Sequence, residues 1–425
     1  METIDNLPLE SSSNSKSHLT LSSLDFRLLL ATVCADRIAY YGLRSVIIFY
    51  AINEFGLADE TAFYHYSFLT LIVYSSQLLG GFLGDFVLGA RNGILVGLGL
   101  CILGALLIFI EDSYVFYASI VLFAVGSGFF KTNTFSLISH YTAHDKERLE
   151  KRFISMYTLI NLGAFVSSLF IGLIGEKYGY VYSFMLVLAF YAVGTALIFA
   201  MSEKTNTTSA IQREVKKEPK PIAKSLLVII VVTISCGVFW ILFEKYSYNI
   251  ANHKIDFFTE NASAFIREYM WSIPVVLLLL LSIPYYFLAK RFSTYVKLAI
   301  SMILIGICWA VSALLFEMEI LSFGFTALII FMLMEAIADI FLTPTALTLL
   351  TVHSSKKYYG TIFGVYSGVM YLATRAQYHL EPSYFEVLFN IGLVVLLIAS
   401  IVMYFVLPLI LKEKKPLNTS LEEEI

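Results

Sequence analysis

Charged residues lie inside a long apolar segment near the start of the chain. Asp36, Arg37 and Arg44 fall within residues 26–50, which otherwise have the composition of a membrane-spanning helix. A charge at the centre of a bilayer costs about 2.5–3.5 kcal/mol on insertion scales, so these groups are expected to face protein partners or water. Arg37, Tyr41 and Arg44 are spaced i, i+4 and i+7 and therefore share one helix face. This spacing predicts a basic, aromatic stripe that could bind an anionic group in a polar cavity.

The composition as a whole is that of a protein with many membrane spans. Of the 425 residues, 58% are hydrophobic and 14% are charged, and the mean hydropathy is +0.77. A soluble domain is less apolar than this. The four cysteines lie in apolar segments without metal-ligand spacing and are predicted to be packing residues. The sequence predicts no enzyme, no metal site and no nucleic-acid partner, because no nucleophile–base set, phosphate-binding loop or repeated basic patch is recognisable.

Twelve apolar segments are long enough to cross a bilayer, which takes about 20 residues per helix. They are residues 26–50, 62–84, 92–111, 114–135, 153–174, 180–201, 224–248, 265–289, 296–316, 321–350, 358–378 and 384–411. A long polar segment divides them six and six. The pattern predicts an all-α membrane protein with an N-terminal tail (1–25), a six-helix bundle (26–201), a linker (202–223), a second six-helix bundle (224–411) and a C-terminal tail (412–425).

The basic residues of the loops predict which side of the membrane each loop occupies. Lysine and arginine concentrate in one set of connections, which includes Lys151, Lys217, Lys290 and Lys357, whereas the opposite loops carry acids such as Glu111. Both tails and the linker are therefore predicted to be cytoplasmic. Two six-helix halves joined in this way suggest the major facilitator architecture, in which a central cavity lies between the halves at mid-membrane.

A resemblance to a known family becomes specific in the first span. The segment Asp36-Arg37-Ile38-Ala39-Tyr40-Tyr41-Gly42-Leu43-Arg44 resembles the first-helix signature of the proton-coupled oligopeptide transporters, which are members of the major facilitator superfamily. That signature holds two glutamates three residues apart, followed by Arg-Phe-x-Tyr-Tyr-Gly. Here Asp36 occupies the second acid position and Val33 replaces the first. The family uses the acid pair and its arginine in proton coupling, so the resemblance implies a coupling role for Asp36 and Arg37 with half of the pair missing.

The end of the second span resembles the loop motif shared across the superfamily. It reads Gly80-Gly81-Phe82-Leu83-Gly84-Asp85-Phe86-Val87-Leu88-Gly89-Ala90-Arg91. Glycines such as Gly81 let two helices approach closely. The resemblance implies that Asp85 and Arg91 pair at the cytoplasmic helix ends and stabilise one gating state. Tyr74 lies six residues before Gly80, where the peptide transporters carry a cavity tyrosine.

Further motifs of the peptide transporters are present in both halves. Lys131 belongs to a stretch similar to Gly-x-Gly-x-x-Lys-Pro-Asn, with Thr132 in place of proline, and Asn161 belongs to a Tyr-x-x-Ile-Asn-x-Gly stretch. In the second half, three residues separate Glu244 from the pair Phe239-Trp240, which resembles the pattern in the seventh helix of the family. Asp339 stands where the family has a glutamate that binds the amino end of a peptide, and Glu335 lies one helical turn earlier. These two acids could share a proton.

The charges inside the spans suit a zwitterion, because most cations lie in the first half and most acids in the second. The resemblance implies symport of di- and tripeptides with protons and no organic cofactor. The carboxylate of the peptide would be held by Arg37, Tyr41, Arg44, Tyr74 and Asn161, and its amino end by Asp339 with Glu335. The resemblance also implies two alternating ion pairs, Arg44–Glu244 on the outer side and Lys131–Asp339 on the inner side.

Several alternatives stay open. The proton could be carried by Asp36, Glu244, Glu335, Asp339 or His65, and the last of these titrates in the physiological range. The chain could be a carrier of another small solute, such as an amino acid, a modified peptide or an inorganic anion. It could also be a membrane receptor that binds its ligand without translocating it. The expected setting is a monomer in the cell membrane.

Overall fold

The computed structural model describes residues 21–56, 58–202, 222–261, 273–317, 325–376 and 384–411. This part of the chain forms twelve α-helices and no β-strand. The helices are α1 (Ser23–Phe55), α2 (Asp59–Leu83), α3 (Ala90–Leu107), α4 (Ser113–Thr142), α5 (Lys146–Tyr178), α6 (Tyr180–Ala200), α7 (Ile222–Asn261), α8 (Ile273–Leu288), α9 (Thr294–Glu317), α10 (Phe325–His353), α11 (Tyr359–Ala376) and α12 (Tyr384–Leu411). A short π-helical turn, Gly84–Leu88, extends α2.

The helices follow the order of the apolar segments. Ten of them, within the described ranges, are long and apolar enough to cross a membrane by length and composition. The other two are α1, which carries the buried charges described above, and the short helix α11. The predicted C-terminal tail, nearly all of the linker (203–221) and residues 1–20 of the N-terminal tail lie outside the described residues. Helix α1 begins at Ser23, three residues before the first predicted span.

Side-chain caps explain where several helices begin. The hydroxyl of Ser22 accepts the backbone N–H of Asp25 at 3.0 Å at the start of α1. The carboxylate of Asp145 accepts the N–H of Arg148 at 2.9 Å at the start of α5. Such caps satisfy backbone donors that have no partner within the helix. At the other end of α1, Gly56 has a φ of 63°, the left-handed conformation in which glycine ends a helix at low cost.

The helices pack as two groups of six. In the first group α3 packs on α4, α2 on α4, and α1 on both α5 and α6. In the second group α9 packs on α7, α10 and α12. The groups meet through α2 and α4 against α11, and through α5 against α8 and α10. These four helix pairs define the interface between an N-terminal half (α1–α6) and a C-terminal half (α7–α12).

The two halves are joined at the end formed by the α2–α3, α4–α5, α8–α9 and α10–α11 connections, here called the inner end. The carboxylate of Asp85 accepts the backbone N–H groups of Gly360 and Thr361 at 2.9 and 2.7 Å and the Thr361 hydroxyl at 2.8 Å. The hydroxyls of Ser139 and Thr351 are 2.8 Å apart. The inner end is the end that the sequence predicts to be cytoplasmic.

The expected pair between Asp85 and Arg91 is not formed, which corrects the prediction from the sequence. Asp85 instead caps the first turn of α11, where unpaired N–H groups and the helix dipole favour an anion. Arg91 donates to the carbonyl oxygens of Ile198 and Met201 at 2.9 and 3.1 Å. These carbonyls lie at the carboxyl end of α6, where a cation is favoured for the opposite reason.

Candidate functional site

A cavity of about 540 Å³ lies between the two halves. Eight of the residues singled out by the sequence line it together: Tyr41, Arg44, Tyr74, Lys131, Asn161, Glu244, Glu335 and Asp339. Five come from helices of the N-terminal half and three from helices of the C-terminal half. The fold therefore brings cations and carboxylates from distant parts of the sequence into one polar space.

Asp339 is held at the cavity wall by two hydroxyl donors. The phenol of Tyr157 on α5 donates to one carboxylate oxygen, and the hydroxyl of Thr343, one turn along α10, donates to the other at 2.9 Å. The amide of Asn161 donates to the carbonyl oxygen of Tyr157 at 2.9 Å. The Tyr157–Asp339 contact joins the two halves. Tyr157 received no role from the sequence, although it opens the motif that contains Asn161.

Replacing Tyr157 by Phe is expected to weaken dipeptide binding about tenfold, because Asp339 loses the donor that holds its carboxylate at the cavity wall. A hydrogen bond to a charged group contributes about 1.5–3 kcal/mol. A tenfold loss of affinity corresponds to about 1.4 kcal/mol, which is close to the lower end of this range. Titration of the purified protein with labelled dialanine measures it. Thr374→Val is the matched control, because Thr374 lines the same cavity but donates only to the carbonyl of Tyr371 in its own helix. Equal affinities in the two variants would contradict the prediction.

A stack of rings and cations forms another part of the wall and also crosses between the halves. Tyr74 of α2 stacks on Tyr371 of α11, with ring centroids 5.1 Å apart. The ammonium of Lys131 lies 5.7 Å from the Tyr74 ring, and the guanidinium of Arg375 lies 5.7 Å from the Tyr371 ring. Cations over aromatic faces are stabilised by the ring quadrupole. The stack thus presents two cations to the cavity.

Arg375 and Tyr371 were missed in the sequence. Arg375 falls inside the apolar segment 358–378, so the reasoning that selected Arg44 applies equally to it. In the structure Arg375 lines the same cavity as Glu244. The cavity therefore carries three cations, and one of them belongs to the C-terminal half.

Neither of the alternating ion pairs implied by the family is present in this conformation. The described residues show no ion pair between Arg44 and Glu244, and the guanidinium of Arg44 lies 5.5 Å from the centroid of the Tyr40 ring. Asp339 accepts from Tyr157 and Thr343 instead of Lys131. The inner end is closed without a Lys131–Asp339 pair, because other contacts between the halves close it.

Asp36 and Arg37 lie away from the cavity, inside the N-terminal half. Their side chains pair, with Nη2 of Arg37 2.5 Å from Oδ2 of Asp36, and are 6% and 0% exposed. The guanidinium lies 4.8 Å from the centroid of the Tyr40 ring and 5.9 Å from that of Phe130. The predicted stripe is therefore divided, since Tyr41 and Arg44 line the cavity whereas Arg37 turns toward the adjacent carboxylate and the rings of the bundle core.

Two other positions considered for proton coupling are also located. Val33, which stands in the place of the first family acid, is buried at 2% exposure. The side chain of His65 lies outside the described part of the structure. Of the acids considered for the proton, Glu244, Glu335 and Asp339 line the cavity, and Asp36 does not.

The arrangement of two six-helix halves around a polar cavity agrees with a family model. The model of the Major Facilitator Superfamily matches residues 29–376. The chain belongs to the major facilitator superfamily. This is a superfamily of multi-pass membrane transporters, so the chain is a protein of the cell membrane and not an enzyme, as the sequence predicts.

Curated relatives resemble parts of the chain. Dipeptide and tripeptide permease A of Salmonella typhi is 31% identical over 163 residues, which are 38% of this chain and 32% of the permease. Dipeptide and tripeptide permease B of Aliivibrio fischeri (strain MJ11) is 28% identical over 233 residues, 53% of this chain and 46% of that permease. The uncharacterized transporter YclF of Bacillus subtilis (strain 168) is 31% identical over 177 residues, 40% of this chain and 36% of YclF. The matches span less than half of the length of these relatives.

Solved structures share the fold over most of the chain. A POT family transporter in complex with a thioalcohol conjugated peptide has a TM-score of 0.63 at 18% identity, covering 91% of this chain and 95% of its own. The POT family transporter PepTSo also has a TM-score of 0.63, at 16% identity, covering 92% of this chain and 99% of its own. Identities this low show the fold alone. The permeases confirm the sequence resemblance to the oligopeptide transporters, and the solved structures show that the fold is shared.

Proposed function

We propose that the protein is a secondary active transporter that carries di- and tripeptides together with protons by alternating access. The observation that carries this proposal is the charge pattern of the central cavity. Cations (Arg44, Lys131, Arg375) and acids (Glu244, Glu335, Asp339) line one space of about 540 Å³. This volume lies within the range of about 300–1,000 Å³ that is typical of small-ligand sites. A peptide is a zwitterion, and its two ends need opposite charges.

The cavity suggests how a peptide would lie. Its carboxylate would be bound by Arg44 and Lys131, with Asn161 nearby, and its ammonium by Asp339 and Glu335. These interactions involve only the peptide ends, so side chains of different size would be tolerated. Arg37 would act through its pair with Asp36 and not by touching the peptide, since both are buried in the N-terminal half.

The arrangement in the membrane is part of the proposal. All twelve helices would cross the bilayer, with both tails (1–25 and 412–425) and the linker (202–223) in the cytoplasm. The two six-helix bundles (26–201 and 224–411) would move relative to each other about the cavity. Support comes from the packing of six helices against six and from the basic connections Lys146–Arg148 and Lys290–Arg291 at one common end. The transporter would act as a monomer and need no cofactor besides the proton.

Proton coupling would use the contacts that Asp339 makes across the interface. Protonation of this carboxylate weakens its hold on Tyr157, and the halves then separate more easily at the cavity wall. A membrane potential of 100 mV supplies about 2.3 kcal/mol for each charge moved, which is enough to shift a two-state equilibrium. No nucleotide would be consumed.

Uptake into proteoliposomes tests the function directly. Labelled dialanine is expected to accumulate when an inward proton gradient is imposed and to equilibrate only slowly without it. Counterflow with alanine or nitrate in place of dialanine distinguishes a carrier of another solute. Specific binding of dialanine without any accumulation would overturn the proposal in favour of a receptor.

Replacing Val33 by Glu is expected to strengthen the dependence of uptake on the proton gradient. The substitution restores the acid pair of the family on the helix face of Arg37, four residues away. The ratio of uptake with and without the gradient, measured in wild type and variant at equal protein content, gives the result. Val33→Gln is the control, because it adds the same bulk and polarity without a titratable group. No gradient dependence in wild type or Val33→Glu would speak against coupling through α1.

A further inference from the structure

A second cluster of charged and polar side chains joins the two halves outside the cavity, toward the inner end. Lys297 of α9 donates to Oε1 of Glu150 on α5, and the two side chains are 1% and 8% exposed. The hydroxyls of Tyr285 on α8 and Thr345 on α10 lie 3.4 and 3.2 Å from the same oxygen. One carboxylate oxygen of the N-terminal half therefore meets donors from three helices of the C-terminal half.

The cluster is surrounded by buried, largely apolar residues, which limit the access of water. Lys297 lies in the first turn of α9 and also donates, at 3.0 Å, to the carbonyl oxygen of Ala289 in the connection between α8 and α9. Ile154 of α5 and Ile340 of α10 belong to a small buried apolar cluster together with Ala289 and Tyr285. Attraction between charges is strong where water is excluded. Loss of one partner from such a pair is costly, because the other charge stays buried alone.

We propose that Glu150 and Lys297 are positioning residues of the transport cycle, and that their buried pair sets the balance between conformations closed and open at the inner end. This inference rests on the proposed alternating-access function. Opening the inner end moves α5 away from α8 and α10, so Glu150 must leave all of its donors at once. Neither residue lines the cavity. The pair therefore acts on the conformational equilibrium and not on the affinity for substrate.

The cluster complements the contact made by Asp85 on the other side of the interface. Asp85 holds the start of α11 against α2, and Glu150 holds α8 and α10 against α5. In both contacts a carboxylate of the N-terminal half receives donors of the C-terminal half. Two such attachments, one on each side, keep the halves from rocking apart at the inner end.

Distances between spin labels test the role of the pair in the full-length protein, reconstituted in nanodiscs without substrate. Arg148→Cys and Arg291→Cys supply the labelling sites, because Arg148 is exposed in the first turn of α5 and Arg291 is exposed in the connection between α8 and α9. Glu150→Gln and Lys297→Met are each expected to increase the ratio of long to short distances at least tenfold. A tenfold change in this ratio corresponds to a change of about 1.4 kcal/mol in the conformational equilibrium. The double variant is expected to shift it less than either single variant, because no unpaired charge remains in the interior.

Glu147→Gln is the matched control. Glu147 pairs with Lys151 at 2.7 Å on the same helix, but this pair is exposed and lies within one half, so the distances should not change. Dialanine affinity, measured in parallel, should stay within about twofold of wild type in the single variants. The inference would be overturned if both single variants elute as monodisperse protein and show unchanged distances. It would also be overturned if they lose affinity for dialanine without any change in distance. Failure of wild-type dialanine uptake would contradict the proposed function only, since the distances are measured without substrate.

Discussion

Replacing Asp339 by Asn is expected to lower proton-driven dipeptide uptake about 100-fold, a change of about 2.7 kcal/mol. The carboxylate lines the cavity and accepts hydrogen bonds from Tyr157 and Thr343, so the substitution removes the charge for the peptide ammonium and one end of a contact between the halves. Removal of one member of a buried charge pair costs about 2–5 kcal/mol. Initial rates of dialanine uptake into proteoliposomes, with an inward proton gradient, measure the loss.

The control for this experiment keeps the charge and changes only the length of the side chain. Asp339→Glu restores the residue type that the resemblance to the peptide transporters places here, and it is expected to retain most of the uptake. If Asp339→Asn transports as fast as wild type, the amino end of the peptide is bound elsewhere, and Glu335 becomes the first alternative.

Replacing Gly81 by Ala is expected to reduce uptake about tenfold by forcing α2 and α11 apart. A Cβ atom at Gly81 would lie 2.1 Å from the carbonyl oxygen of Gly360 and 2.5 Å from its carbon. Because the contact is with backbone, no side chain can rotate away, and the bonds from Asp85 to the start of α11 are strained as well. Overpacking of a tight contact costs about 1–3 kcal/mol, which covers a tenfold loss.

The labelling rate of a cysteine placed at Ser139 reports whether the inner end has opened. Ser139 is fully buried and contacts Thr351 of the other half, so maleimide should react with it much faster when Gly81 is replaced. Gly99→Ala in α3 is the control, because a Cβ there meets nothing within 4 Å. Slow labelling with normal uptake in Gly81→Ala would mean that the helices tolerate the methyl group and that the close contact is not needed for transport.

The helices and most of the cavity residues could be predicted from the sequence for one physical reason. A membrane span must be long and apolar, so the spans are visible as composition, and any charge inside a span must avoid lipid. Arg44, Lys131, Glu244, Glu335 and Asp339 were selected in this way, and all of them line the cavity. The same argument extends to Arg375, which was overlooked among the polar residues near the end of α11.

The direction of side chains and their distant partners could not be predicted. Arg37 shares a helix face with Arg44 by spacing, but its long side chain turns to Asp36 and to the core of the N-terminal half. Asp85 was expected to pair with Arg91, six residues away, and instead caps α11, some 275 residues along the chain. A flexible side chain can choose between a local and a distant partner, and only the packing of the helices decides which one is within reach.

The sequence by itself therefore determined the class of the protein, the order of its helices and the set of charges that must be sheltered from lipid, because each follows from local composition and the cost of burying a charge. Only the tertiary structure decided which of these charges share the cavity and which join the two halves. The contact between Glu150 and Lys297 illustrates the difference, since it links residues 147 positions apart on α5 and α9. Neither residue stands out in the sequence, because each lies near a helix end where a charge is unremarkable until another helix covers it.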